Sequence, residues 1–260
     1  MDFAYSIAGL LVGILVGLTG VGGGSLMAPL LILMFGFSPA TAIGTDLWFA
    51  AITKTVGSVV HRHVGSPNWK IVGRLALGSV PAAIVTILWL QFAHGGELKA
   101  DLLKSVLGVA LILTAVLTPL KTYMKEPLRS LRRSLGPGMR RHQLIATVVG
   151  GAVIGSVVTL TSVGAGALVA VLLMLLYPLR LDTKSLVGTD IVHAVPLALV
   201  AAIGHFWLGN VNWVLLGTLL IGSIPGIIIG SLLAGRINEN LVRWALAIML
   251  AVSGTKMLLS

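Results

Sequence analysis

The stretch TGVGGGSLMAPLL, Thr19 to Leu31, decides the fold of this chain. It lies within residues 3–37, where no side chain carries a charge. At about 1.5 Å per residue that run far exceeds the ~20 residues a helix needs to cross a bilayer, so it holds more than one element. The glycines of Gly20-Val21-Gly22-Gly23-Gly24-Ser25 interrupt the run, and helix-forming residues follow at once. About 16 residues precede the cluster and about 12 follow it, and half a bilayer needs only ~10 residues of helix. The spacing predicts a pair of short or broken helices that enters the membrane and returns on the same side.

Further apolar stretches fall near 41–60, 71–93, 102–120, 144–160, 167–179, 185–207, 213–234 and 241–258. The 260 residues are 57% hydrophobic and 10% charged, against roughly 45–50% and about 25% in a soluble domain. An ordinary cytosolic protein is excluded. The pattern predicts an all-α polytopic membrane protein, because isolated strands cannot satisfy their backbone in lipid. The chain has no cysteine, so it has no disulfide framework, thiolate nucleophile or Cys-based zinc site. In a chain this apolar, the net charge of +10 points to membrane orientation rather than to nucleic-acid binding. A cleaved leader is not expected, since only Asp2 precedes the first apolar run and that run recurs inside the chain.

The recurrence is a duplication. At an offset of 142, Gly9–Leu33 aligns with Gly151–Leu175 and 13 of 25 positions agree, so that TGVGGGSLMAPLL overlies TSVGAGALVAVLL. At an offset of 144, Gly44–Pro81 aligns with Gly188–Pro225 and 14 of 38 agree. Shared residues include Gly44-Thr45-Asp46 with Gly188-Thr189-Asp190, His61 with His205, Asn68-Trp69 with Asn212-Trp213, and Gly78-Ser79 with Gly222-Ser223. Low-complexity matching would favour Leu, Val and Gly, whereas Asp, His, Asn and Trp coincide here as well. The chain therefore divides into an N-terminal repeat (1–120), a basic linker (121–143) and a C-terminal repeat (144–260).

Charge orients the two copies. The linker holds seven Lys and Arg against Glu126, which predicts a cytoplasmic location. Walking outward one span at a time places 14 of the 18 cations inside and both termini outside. Loop 61–70 is basic and inside, while its repeat partner 205–212 has no Lys or Arg and falls outside. The halves are thus expected to be inverted, each a glycine-broken helical hairpin followed by three transmembrane helices, a plan common among secondary transporters.

In that plan the two breaks meet near the membrane centre. Glycine lets backbone approach a ligand, and N–H groups at the start of the next helix present a positive dipole end, so an anion is the natural guest. Candidate substrate-binding residues are Gly20, Gly22, Gly23, Gly24 and Ser25 in the first break, with Thr161, Ser162, Gly164 and Gly166 in the second. Close helix packing is the competing reading of such glycines. Thr45, Asp46, Thr189 and Asp190 border the breaks; the two carboxylates either complement a helix start or carry a coupling proton. Lys54, whose repeat counterpart is Ala198, either pairs with an anionic substrate or an acid, or snorkels toward the interface. His61 and His205 read as loop punctuation beside an interfacial Trp or as a proton relay, and His193 is a further titratable candidate within a span. No HExxH or Walker A pattern occurs, so neither a metal site nor ATP-driven transport is expected, and no cofactor is implied.

The paired GVGGGSLMAPLL and SVGAGALVAVLL segments, each followed by GTD and then a His…Gly…Asn-Trp loop, resemble the TauE/SafE family of anion permeases, also called the sulfite exporter family. The resemblance covers nearly the whole chain. It implies a secondary transporter of the bacterial or archaeal cytoplasmic membrane that handles sulfite, sulfoacetate or another small organosulfonate and belongs to no enzyme class. The second copy departs from the pattern with Ala165 for a glycine and Val171 for Pro29. The expected partners are a small anionic substrate, the bilayer and, as with many permeases, a second copy in a homodimer. Two alternatives are carried forward. One is an anion channel; the other is an intramembrane hydrolase with Ser25 as nucleophile and His193 or His205 as base, which the Ala167 in the matching position disfavours.

Overall fold

In the computed structural model, residues 3–19, 23–60, 66–95, 98–134, 142–234 and 236–259 are described. Among them are ten α-helices and one 3-10 turn, with no strand. The first half comprises α1 (Phe3–Thr19), the turn Gly23–Leu26, α2 (Met27–Leu33), α3 (Pro39–Val60), α4 (Trp69–His94) and α5 (Ala100–Ser134). The second comprises α6 (Gln143–Thr161), α7 (Ala167–Leu176), α8 (Thr183–Trp207), α9 (Trp213–Leu233) and α10 (Glu239–Leu259). Six stretches among the described residues are apolar and long enough to cross a membrane: α4, Ala100–Lys121 of α5, α6, α8, α9 and Asn240–Leu259 of α10. The chain is a multi-pass membrane protein. Its outward faces agree, since Phe92, Val214 and Leu232 are each more than 70% exposed, a surface suited to lipid and not to water.

Local chemistry sets the helix starts. Asn68 and Asn212 have extended backbones, and their side chains accept from Ile71 N and Leu215 N at 3.3 and 3.0 Å, capping α4 and α9. Asp182 caps α8 in the same way through Ser185 N at 2.9 Å. The basic segment read as a linker begins as helix, because α5 continues to Ser134. Arg, Lys, Leu and Met propagate helices well, so charge ends the lipid-embedded part of α5 without ending the helix.

The helices pack in matched pairs. α1 lies along α9 with Gly9, Gly13 and Gly17 against the backbone of Leu219, Ser223 and Ile227. α6 lies along α4 with Gly151 and Gly155 against Leu75 and Ser79, the positions that the 142 and 144 offsets predict. α3 packs on α8 and α5 on α10. At Gly222 an added Cβ would meet the Ser6 carbonyl, and at Gly78 the Val148 carbonyl. In these crossings small residues serve close backbone packing.

Each short helix returns to the start of its predecessor. Tyr177, after α7, meets Thr147 of α6 through their hydroxyls at 2.8 Å, while Gln143 Nε2 donates to the Leu176 carbonyl at 2.6 Å. In the first half the equivalent positions, Phe35 and Tyr5, make an edge-to-face ring contact at 4.8 Å.

Candidate functional site

The second break is built from residues that hold the chain open between α6 and α7. Thr161 Oγ1 donates to the Val157 carbonyl at 2.6 Å and accepts from Val163 N at 3.1 Å. Ser162 ends α6 with φ 58°, and Gly164 follows with φ 98°. A left-handed serine is costly, and such strain is held only where the surroundings enforce it. Its hydroxyl is buried without a hydrogen-bond partner. In the first break, Gly23 and Gly24 open the 3-10 turn that carries Ser25. Gly20 and Gly22, like His61, lie outside the described residues.

One cavity joins the two breaks. It is lined by Ser25, by Ser162, Ala165 and Gly166, by Lys54 with Leu47 and Ala50 of α3, and by Val158 and Ala198. Its volume is about 20 Å³, room for about one water. Lys54 and its repeat counterpart Ala198 thus face a common space, with the cation on one wall only. Lys54 interacts through space with both Asp46 and Asp190.

Asp46 is fully buried, and its Oδ2 accepts from Ala28 N in the first turn of α2 at 3.3 Å. Its Oδ1 has no partner, and Ser162 Oγ stands beside the carboxylate without reaching hydrogen-bonding geometry. Asp190 is equally buried with Oδ1 unpartnered, in the fields of Lys54 and of Lys121 on α5. An unpaired buried carboxylate oxygen is expensive.

Other candidate residues are engaged elsewhere. Thr45 Oγ1 accepts from Asn212 N at 3.1 Å, and Thr189 Oγ1 accepts from Asn68 N at 3.0 Å. The two GTD threonines therefore each grip the loop of the opposite half. His205 Nε2 donates to the Thr159 carbonyl at 2.9 Å, tying α8 to α6. His193 Nε2 meets Ser79 Oγ at 2.8 Å, with Lys54 in electrostatic range. Ser79 was visible as half of the repeated Gly-Ser pair, but nothing in one sequence linked it to His193. Among the described residues no cluster of His, Cys, Asp or Glu could hold a metal ion.

A family model described as sulfite exporter TauE/SafE matches residues 5–257. The chain belongs to the TauE/SafE family. A relative from Bacillus subtilis, "Probable membrane transporter protein YjnA", is 38% identical over 99% of this chain and all of its own length. A second from the same organism, "Probable membrane transporter protein YdhB", is 29% identical over 81% of each chain. An archaeal relative from Methanocaldococcus jannaschii, "Probable membrane transporter protein MJ0441", is 26% identical over 79% of this chain and 72% of its own. No solved structure matches. As a TauE/SafE member the protein is a membrane transporter and not an enzyme, and the hydrolase reading of Ser25 is set aside.

Proposed function

We propose that this TauE/SafE protein moves a small sulfur-containing anion, such as sulfite, sulfoacetate or a related organosulfonate, across the cytoplasmic membrane by alternating access coupled to an ion or proton. The observation that carries the reading is the cavity in which Ser25 of one break, Ser162 and Gly166 of the other, and Lys54 meet. A sulfonate spreads its charge over three acceptor oxygens, so several hydroxyl and N–H donors with one cation suit it better than a lone ion pair. A space of about 20 Å³ suits a carrier better than a channel, since a channel needs a continuous path wide enough for the anion.

The halves act as inverted repeats in this proposal. Support comes from contacts made twice at positions related by the repeat offsets: Gly13 with Ser223 and Gly155 with Ser79, and Thr45 with Asn212 and Thr189 with Asn68. Rocking one set against the other would expose the cavity to each side in turn. In this reading Asp46, Asp190, His193 and His205 are the candidates for coupling protons, and Gly23, Gly24, Thr161 and Gly164 shape the breaks.

Uptake into proteoliposomes with sulfite, sulfoacetate, taurine and sulfate offered separately, with and without a pH gradient, tests the reading. Saturable uptake of at least one sulfur anion, changed by the gradient, is the expected result. Absence of transport and of ligand-induced stabilisation for all four overturns it.

A further inference from the structure

Asp46 occupies an unusual position between the two breaks. Oδ2 is held by Ala28 N, after the first break, at 3.3 Å. On the other side stands Ser162 of the second break, a residue of the cavity wall whose hydroxyl is buried and unpartnered. A carboxylate is itself an oxyanion, with the acceptor chemistry of the substrate class proposed above. The cavity that Ser162 and Lys54 line holds about one water at 20 Å³, so a sulfonate cannot enter while these groups keep their present places. A second negative charge would also face the first at short range in a site of low dielectric, where like charges repel by several-fold more than in water.

We propose that Asp46 is a tethered anion that competes with the substrate anion for the space between Ser162 and Lys54, so that the substrate binds together with a proton. The proton comes from hydronium or a buffer acid of the bulk solution, which is left as water or the buffer base, and forms the O–H bond of the Asp46 carboxyl, neutral as the anion arrives. No other bond changes. The substrate then receives the Ser162 hydroxyl and the Lys54 ammonium, and the second break, not the first, is its anchor. The inference rests on the anion-transporter reading and adds which residue opposes binding and what relieves the opposition.

The other groups near the carboxylate limit the alternatives. On its own helix, α3, the charged group acting on Asp46 is Lys54; Asp190 and His193 of α8 are in the field of that same Lys54, and Lys121 of α5 acts on Asp190. The breaks contribute Ser25 and Ser162, and α2 contributes the backbone of Ala28. Of the two buried acids, Asp46 is the one beside Ser162, a residue of the cavity wall.

The test uses the purified full-length protein and methanesulfonate, a monoanion whose charge is constant between about pH 5 and pH 8, with sulfite as a second probe. The wild type should bind methanesulfonate at least ~10-fold more weakly at the upper pH, and Asp46→Asn should bind tightly at both. Asn keeps an acceptor for Ala28 N, which preserves the local fold. Ser162→Ala should weaken binding at both pH values. Proton uptake, read with an indicator dye in weak buffer, should be about one per methanesulfonate bound to the wild type. That measurement needs no variant. Binding without proton uptake, or an Asp46→Asn protein with the wild-type pH profile, overturns the inference and leaves the anion reading standing. A wild type that binds neither methanesulfonate nor sulfite at either pH overturns both.

Discussion

Lys54 and Ser162 show how far single residues depart from the symmetry around them. Both line one cavity with Ala198, the repeat counterpart of Lys54. Replacing Lys54 by Ala should reduce anion affinity by about 10- to 100-fold, the range for a lost hydrogen bond to a charged partner. Because Ala198 faces the same space, adding Ala198→Lys to Lys54→Ala should recover part of that affinity. A double variant as weak as the single one would show that the position and not merely the charge matters. Ser162 combines a left-handed backbone with an unpartnered hydroxyl, whereas the aligned residue of the first copy is Gly20. Ser162→Gly should therefore raise thermal stability by about 1 kcal/mol while weakening the anion, which separates strain relief from binding in one substitution. A variant that gains stability without losing affinity would remove Ser162 from the site.

At the scale of elements, the helices were legible and their partners were not. Apolar runs broken by glycine, with Asn-Trp before α4 and α9, locate most starts and stops because caps and breakers act within a few residues of their position. The extension of α5 to Ser134 escaped this reading, since charge reports the lipid boundary and not helicity. Aligning the copies pairs Thr45 with Thr189 and Asn68 with Asn212, yet the contacts run crosswise, Thr45 to Asn212 and Thr189 to Asn68. A repeat alignment matches each residue with its copy and says nothing about its neighbour. Thr45→Val keeps the shape and removes the acceptor for Asn212 N, so it should cost about 1–3 kcal/mol in detergent unfolding. Thr45→Ser should retain most of that stability. Equal losses in both variants would assign the effect to packing.

For the molecule as a whole, the arrangement of charge makes a statement about sides that labelling can check. Lys70 and Val214 are repeat counterparts, both exposed at the first turn of a helix. The absence of cysteine leaves a clean background for single substitutions. Lys70→Cys should react with a membrane-impermeant maleimide only in inverted vesicles, and Val214→Cys only in intact cells. Reaction of both from one side would show that the halves are inserted alike.

The pairing of α1 with α9 carries a consequence for how the protein is made. Gly9, Gly13 and Gly17 rest on residues some two hundred positions later. At a ribosomal pace of about 5–20 residues per second, α1 waits on the order of ten seconds or more for its mate. During that interval its glycine row has no helix to meet, so the insertion machinery or lipid must shelter it. Nascent chains arrested in the linker should therefore be cleared by membrane proteases, while release of the second half from the same membrane should rescue them.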